Sequence, residues 1–212
     1  MNPVTDPCGL VIIGASSLGV TVHAVAENLG LSPLVFVDDR KTTSPVEGVR
    51  LLVGTQSADT AEILRTSSGI VAIGRTEDRF RISTVLDGRL TPCAAIISPG
   101  AHVAAGSTLG VGSIVLPGAV IGPQCQIGAH CIIGSNCTIG ACAVIADYVT
   151  LGSGCNIGAE STLEAGCHIG MGAVVNPLCR VVGGTKIGSL TAVTKSITAP
   201  GVYIGAPAKI LR

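Results

Sequence analysis

The sequence is poor in aromatic and charged residues, and both shortages limit what the protein can be. Of its 212 residues only 2% are aromatic, with two Phe, two Tyr and no Trp. Because large rings usually supply much of a globular core, we expect a core of aliphatic and small side chains. The 13 Lys and Arg balance the 13 Asp and Glu, so the net charge is zero. This balance removes the electrostatic basis for a nucleic-acid partner.

Long hydrophobic runs are also missing. The apolar run Leu10–Ile13 is too short for the core of a signal peptide, and no stretch reaches transmembrane length. The nine Cys are an odd number in a chain without secretory features. We therefore expect a cytoplasmic protein with reduced thiols and no membrane insertion.

The second half of the chain carries a six-residue rhythm. From Ile97 to Val193 an aliphatic residue recurs every six residues, seventeen times without a gap, and a mostly small residue lies two positions before each. Alternation places both residues on one face of a short strand. Gly often follows the aliphatic residue, and we expect it to supply the turn conformation. Three strands and three turns make an 18-residue coil, so the pattern predicts a parallel β-helix of hexapeptide repeats.

The repeat also accounts for most of the cysteines. Six occupy the small, inward position and are predicted to be small buried hydrophobes: Cys125, Cys131, Cys137, Cys155, Cys167 and Cys179. Cys137 and Cys155 lie 18 residues apart and should stack in neighbouring coils, where we expect both to stay reduced. Cys142 instead falls at an outward corner.

The first ninety residues alternate between strand and helix. A buried strand at Leu10–Ile13 leads through a turn at Gly14–Gly19 into a helix ended by Gly30, and a second strand follows at Leu34–Val37. Further helices are predicted at 61–65 and 77–86, around a strand at 70–73. The chain is thus predicted to be a small α/β domain at 1–90, with a parallel sheet, followed by a β-helix domain at 91–212.

The first turn and the end of the second strand resemble a nucleotide-binding unit. Gly14, Ser16 and Ser17 open the helix, whose N-terminus can accept a phosphate, and Asp38 or Asp39 can hold a ribose. Ser16 replaces the central glycine of the dinucleotide pattern, so a tight turn that binds nothing stays an alternative.

Short motifs along the whole chain add a likeness to a known family. They are Val11-Ile12-Ile13-Gly14-Ala15 with Gly19, Val37-Asp38-Asp39, Val71-Ala72-Ile73-Gly74, Ile97-Ser98-Pro99-Gly100-Ala101 and Val202-Tyr203-Ile204-Gly205-Ala206-Pro207-Ala208-Lys209. With these motifs the chain resembles bacterial sugar O- and N-acyltransferases of the sialic acid O-acetyltransferase family. The resemblance implies a Rossmann-like first domain, a left-handed β-helix, a homotrimer and acetyl-CoA or another acyl-CoA as co-substrate. It also implies that the acyl-CoA is bound at Thr150, Ala159, Ser189 and Lys209.

The chain departs from this family at the catalytic positions. Ala141 stands where the family has its general base, a histidine, and Cys142 stands where the acidic partner follows. Thr150 replaces a second histidine that contacts the acyl donor. Cys142 and His130, which has Tyr148 18 residues later, are the candidates for a relocated catalytic group.

The remaining histidines do not suggest a metal centre. His102, His130 and His168 lie on separate hexads, so we expect no zinc site. His23 is expected to form a solvated pair with Glu27.

Three outcomes for catalysis remain open: substrate positioning alone, a relocated group, or binding without catalysis. Our first hypothesis is an acyl-CoA-dependent acyltransferase with atypical catalytic residues, acting on an amino or hydroxyl group of a small substrate such as a nucleotide-linked sugar. The alternative is a catalytically degenerate homologue that binds a ligand or assembles with a partner enzyme.

Overall fold

The computed structural model describes residues 9–31 and 34–211. The chain divides into two compact units, the first ending at Pro99 and the second beginning at Gly100. Within the described residues, no helix is long and apolar enough to cross a membrane. Cys8 lies outside the described residues.

The first unit is a five-stranded sheet with three helices. Its elements are β1 Leu10–Ile13, α1 Ser17–Asn28, β2 Leu34–Asp38, β3 Arg50–Val53, α2 Ala58–Thr66, β4 Ser68–Val71, α3 Thr76–Val85 and β5 Thr91–Pro92. The strand order is β3-β2-β1-β4-β5, and every pairing is parallel. All four residues of β1 are buried, which explains why this strand is a continuous apolar run. The predicted α/β domain is confirmed, with β3 as a strand that the sequence pattern did not indicate.

The second half forms the predicted β-helix. Strands β6 to β22 are two residues long, begin every six residues and end on the seventeen aliphatic positions: Ile96–Ile97, His102–Val103, Thr108–Leu109, Ile114–Val115, Val120–Ile121, Gln126–Ile127, Ile132–Ile133, Thr138–Ile139, Val144–Ile145, Thr150–Leu151, Asn156–Ile157, Thr162–Leu163, His168–Ile169, Val174–Val175, Arg180–Val181, Lys186–Ile187 and Ala192–Val193. Strands 18 residues apart pair in parallel, as β10 does with β13. The three resulting sheets are called here face 1 (β9, β12, β15, β18, β21), face 2 (β7, β10, β13, β16, β19, β22) and face 3 (β8, β11, β14, β17, β20).

Two strands follow the last coil. Strand β23, Val202–Ile204, pairs in parallel with β21, and β24, Lys209–Ile210, pairs antiparallel with β23. The terminal motif of the chain therefore extends face 1.

The small inward residues do more than fill space. The six predicted cysteines are buried, and the eight cysteines of the described residues are free thiols. The thiols of Cys137 and Cys155 donate to the carbonyls of Gly152 and Gly170, both at 3.0 Å. The Ser113 hydroxyl donates in the same way to a carbonyl 15 residues ahead. Inward cysteines and serines thus link each coil to the next through a buried hydrogen bond, which an alanine cannot make.

The role predicted for the glycine after each aliphatic residue is wrong. These glycines do not have positive φ; left-handed residues lie two positions further on, for example Asn136 with φ 57°. The glycines are instead required by a close approach of neighbouring coils. A Cβ on Gly170 would lie 2.5 Å from the Ser189 nitrogen, and one on Gly134 would lie 2.6 Å from the Ser153 nitrogen. No side chain fits at such distances.

Candidate functional site

The loops of the first domain meet at the carboxyl edge of its sheet, where the strand order reverses between β1 and β4. In open parallel sheets such a crevice is the usual ligand site. Gly14 lies in the loop after β1 with φ 109°, and a Cβ there would lie 2.8 Å from the Ala72 carbonyl oxygen in the loop after β4. A Cβ on Gly19 would clash with the Gly14 carbonyl. Both glycines are therefore needed to bring helix α1 close to this edge.

Helix α1 begins at this crevice with an N-terminus open to a ligand. Ser16 is the N-cap in an extended conformation, and its side chain makes no capping hydrogen bond. Ser16 and Ser17 are both exposed. The first turn of α1 has no acidic residue, whereas that of α3 contains Glu77 and Asp78. The first turn of α1 thus brings no negative charge of its own, and the partial positive charge of the helix N-terminus favours an anionic group there.

The two acidic residues after β2 hold backbone rather than standing free. Asp38 Oδ2 accepts from the Ala15 N–H at 2.8 Å, and its Oδ1 accepts from the Arg40 and Lys41 N–H groups. Partial burial by itself raises the pKa of Asp38, but these three donors and the Arg40 charge outweigh burial, so the pKa lies below its ordinary value. Asp39 Oδ1 accepts from the Thr55 N–H at 2.6 Å. Both carboxylates order the crevice loops, and a ribose contact stays a prediction.

Two buried side chains support the crevice without having been predicted to do so. Arg79 is fully buried, and its guanidinium donates to the carbonyls of Ile73 at 2.8 Å and Gly74 at 3.2 Å in the loop after β4. His23 is also buried and stacks on Phe36 with ring centroids 5.5 Å apart. The predicted pair forms, with His23 Nδ1 3.3 Å from Glu27 Oε2, but His23 is buried rather than solvated. The sequence did contain a sign that this face of α1 is buried. Gly19, a small residue four positions earlier, lies on the same face of the helix as His23.

The β-helix presents its outward side chains at three corners, which are named here by their residues. Between faces 2 and 3 lies the cysteine corner, between faces 3 and 1 the aromatic corner, and between faces 1 and 2 the asparagine corner. Each corner repeats a left-handed residue every 18 positions. The cysteine corner comprises Gly106, Gln124, Cys142, Glu160 and Leu178, the aromatic corner Gly112, His130, Tyr148, Gly166 and Gly184, and the asparagine corner Gly118, Asn136, Gly154, Gly172 and Leu190.

The cysteine corner contains Ala141 and Cys142, which are predicted to replace the family's catalytic pair. Ala141 is half-buried and Cys142 is exposed. The Cys142 thiol donates to Gln124 Oε1 at 3.8 Å, the side chain one coil below. Ala141 brings no group able to exchange a proton, so this corner offers the Cys142 thiol, the Gln124 amide and the exposed carboxylate of Glu160.

At the aromatic corner His130 and Tyr148 stack in neighbouring coils. Their ring centroids are 5.0 Å apart and the ring planes differ by 14°. Both residues are left-handed, with φ 54° and 59°. Next to Tyr148, Asp147 Oδ1 accepts from the Ala129 N–H at 2.7 Å, so this carboxylate fixes the Gly128–Ala129 peptide, one residue before His130.

The four residues expected to bind acyl-CoA do not form one cluster within the chain. Thr150 is buried on face 1, whereas Ala159 is half-buried beside the cysteine corner. Ser189 is exposed beside the asparagine corner, and Lys209 is exposed on β24. Thr150, Ala159 and Ser189 thus lie on three different parts of the β-helix, and the role of all four residues stays a prediction. Among the residues described, no group of three His, Cys, Asp or Glu side chains is arranged to hold a metal ion.

Comparison with protein families identifies both halves. Residues 9–86 match the PglD N-terminal domain, and residues 112–147 and 130–165 match the bacterial transferase hexapeptide repeat. The chain joins a PglD N-terminal domain to bacterial transferase hexapeptide repeats. The resemblance and the two-part fold expected from the sequence are thereby confirmed. Among curated protein sequences, none matched the chain significantly.

Solved structures of similar architecture include acetyltransferases. The acetyltransferase domain of PglB from Neisseria gonorrhoeae FA1090, in complex with acetyl coenzyme A, has a TM-score of 0.89 and 25% identity, over 96% of this chain and 99% of that one. PerB from Caulobacter crescentus, in complex with CoA and GDP-perosamine, has a TM-score of 0.71 and 27% identity, over 96% and 97%. WeeI from Acinetobacter baumannii AYE, at 22% identity and a TM-score of 0.85 over 96% and 99%, shares the fold.

Proposed function

We propose that the protein transfers an acetyl group from acetyl-CoA to the amino group of a nucleotide-linked sugar. The observation that carries this proposal is the likeness, over 96% of the chain, to two acetyltransferase structures that hold acetyl-CoA or CoA. One of them also holds GDP-perosamine, a nucleotide-linked amino sugar. Because the likeness extends through both domains, it supports a site for each substrate.

The crevice of the first domain supports a nucleotide-linked acceptor. Two features suit a diphosphate: the N-terminus of α1, whose first turn has no acidic residue, and the exposed hydroxyls of Ser16 and Ser17. Gly14 lets the loops after β1 and β4 approach closely, so a flat base or sugar meets backbone rather than side chains. Asp38 ties the loop after β1 to the loop after β2 through its three backbone contacts.

We infer that three chains assemble and that acyl-CoA lies at a boundary between subunits. Within one chain, Thr150 and Ala159 lie on different parts of the β-helix, so a continuous groove through both needs a second copy. Exposed apolar side chains in the C-terminal coils of the β-helix supply surface for contacts between subunits. Met171, Leu178 and Leu190 are 61%, 72% and 79% exposed. Burial of such side chains favours association.

A second function is favoured by a specific observation. Ala141 cannot act as a base at the position where the family has its histidine, and this supports a homologue that binds ligands without catalysis. Such a protein would bind acetyl-CoA and a nucleotide sugar yet release no CoA.

The experiment that separates the two functions combines binding with turnover. A ligand present at a hundred times its Kd stabilises by about 2.7 kcal/mol, which raises the Tm of a chain of this size by about 5–11 °C. We expect such shifts with acetyl-CoA and with GDP or UDP, and CoA release when GDP-perosamine or a UDP-linked amino sugar is added. Shifts without CoA release would support the binding protein, and the absence of both would contradict both functions.

The variant Cys142→Ala tests whether the exposed thiol is a nucleophile. We expect its kcat/KM to stay within about threefold of the parent, because no basic side chain among the described residues contacts the Cys142 thiol and its hydrogen-bond partner is a neutral amide. A loss beyond a hundredfold would make Cys142 the catalyst.

A further inference from the structure

His130 differs from the other histidines in how the fold presents it. His23 is buried beneath Phe36 in the first domain, and His102 is an exposed residue of face 2. His168 lies on a strand of face 1, between Thr150 and Lys186 of the neighbouring coils. His130 lies at a corner, half-buried, with an aromatic ring against it. We propose that His130 is the general base of the acetyl transfer, held in place by Tyr148; this rests on the proposed function.

Three contacts hold the imidazole in one place. Tyr148 covers one ring face at a centroid distance of 5.0 Å. On the other side, a Cβ on Gly112 would lie 2.7 Å from His130 Nδ1, so the missing side chain of Gly112 makes room for the ring. Asp147 holds the Ala129 N–H, one residue before His130. A base fixed on several sides needs little reorganisation when it accepts a proton.

The backbone of the aromatic corner is left-handed at five positions. Three of them are the glycines Gly112, Gly166 and Gly184, and His130 and Tyr148 occupy the same conformation in consecutive coils. The other two corners also carry side chains in this conformation, such as that of Gln124. What distinguishes His130 and Tyr148 is therefore the stack of their rings.

The proposed step needs one proton acceptor and no further reagent. The amine nitrogen of the sugar attacks the thioester carbonyl carbon, a C–N bond forms, and the C–S bond breaks. The imidazole of His130 takes the proton from the nitrogen and returns it to the departing sulfur, which leaves as the CoA thiol. Imidazole suits both halves of this exchange because it ordinarily titrates close to neutral pH. In this scheme Tyr148 is a positioning residue.

The test uses glycine, since three glycines already occupy this corner and His130→Gly preserves its backbone. We expect His130→Gly to lower kcat by about 10²–10⁴-fold, with the KM for acetyl-CoA and the Tm shift by acetyl-CoA unchanged. Imidazole added to the solution should fill the space between Gly112 and Tyr148 and restore activity, with a pH dependence that follows the added imidazole. The matched control is Asn136→Gly, which removes a left-handed side chain at the asparagine corner and should neither lose activity nor respond to imidazole.

Each outcome decides the proposal. Activity of His130→Gly within about threefold of the parent would overturn it, and so would a loss that imidazole does not restore, because the role would then be structural. A parent protein that binds acetyl-CoA but releases no CoA with any amino sugar would instead overturn the proposed function itself. Circular dichroism and the Tm of each variant establish that it is folded.

Discussion

The close contact between coils makes a quantitative prediction for Gly170. In Gly170→Ala the new Cβ would lie 2.5 Å from the Ser189 nitrogen, 2.7 Å from the Gly188 carbonyl carbon and 2.8 Å from the Ile187 oxygen. All three are backbone atoms of the next coil, so no flexible side chain can move aside. Overpacking of this kind costs about 1–3 kcal/mol, and the rigid neighbours favour the upper end. For a chain of this length the Tm should fall by about 4–12 °C.

The matched control is a glycine that has positive φ and no close contact with the next coil. Gly154 has φ 73°, and its nearest neighbour, Gly172, lies 4.0 Å from the position of a Cβ. Asn tolerates the left-handed conformation and already occupies this corner at Asn136. We therefore expect Gly154→Asn to change stability by no more than about 0.5 kcal/mol. Thermal unfolding followed by circular dichroism measures both variants. Equal losses of stability in Gly170→Ala and Gly154→Asn would refute the conclusion that close contact with the next coil is what requires Gly170.

Further predictions concern titration, assembly and the crevice. Burial raises the pKa of Cys167 to about 11 from an ordinary 9.0. Because the pKa is higher in the folded protein, the contribution of Cys167 to the free energy of unfolding is complete below pH 9 and is lost as the pH rises towards 11. Cys167→Ser keeps a hydrogen-bond donor but has no thiol to ionise. In this variant the free energy of unfolding, measured by urea denaturation, should fall less between pH 9 and pH 11. Because the pKa of Asp38 is lowered in the folded protein, Asp38 stabilises the fold above about pH 4 and loses this contribution as the pH falls through its folded pKa. Asp38→Ala should lower the free energy of unfolding by about 1–3 kcal/mol and abolish the Tm shift caused by nucleotide. An unchanged Tm shift would contradict the role of Asp38 in the crevice. Light scattering should show three 21.1 kDa chains per particle, and a monomer that binds acetyl-CoA would contradict a groove between subunits.

The β-helix could be predicted in detail because its side chains repeat. All seventeen aliphatic positions from Ile97 to Val193 fall on strands, since an unbroken six-residue period leaves only one way to place them inside. The purpose of the glycines could not be predicted in the same way. A sequence shows that Gly170 has no side chain, but whether this serves a turn or a close contact depends on the distance to the next coil.

The first domain shows a second limit. Strand β3 was missed because only Leu52 of its four residues is buried, so it lacks the apolar run that marks β1. His23 was misjudged for the opposite reason, since its burial under Phe36 comes from tertiary packing rather than from the helical stripe. The roles of Asp38 and Asp39 as backbone acceptors likewise depend on where three loops meet.

For the candidate site residues, the sequence predicts where they lie on the β-helix but not what surrounds them. The sequence pointed to His130 and Cys142 as outward corner residues, and the structure shows what surrounds each. A stack against Tyr148 above Gly112 distinguishes His130, whereas Cys142 contacts a neutral amide. Stacking of side chains 18 residues apart follows from the coil length, but the ring orientation does not.

The most direct test of the central claim follows the acetyl group itself. Acetyl-CoA labelled in its acetyl group is incubated with the protein and a nucleotide-linked amino sugar, such as GDP-perosamine, and the sugar is then analysed by mass spectrometry. The account predicts a labelled amide on the sugar nitrogen, formed in proportion to the CoA released. Labelled acetate without labelled sugar, or acetyl-CoA that stays intact with every amino sugar supplied, would contradict it.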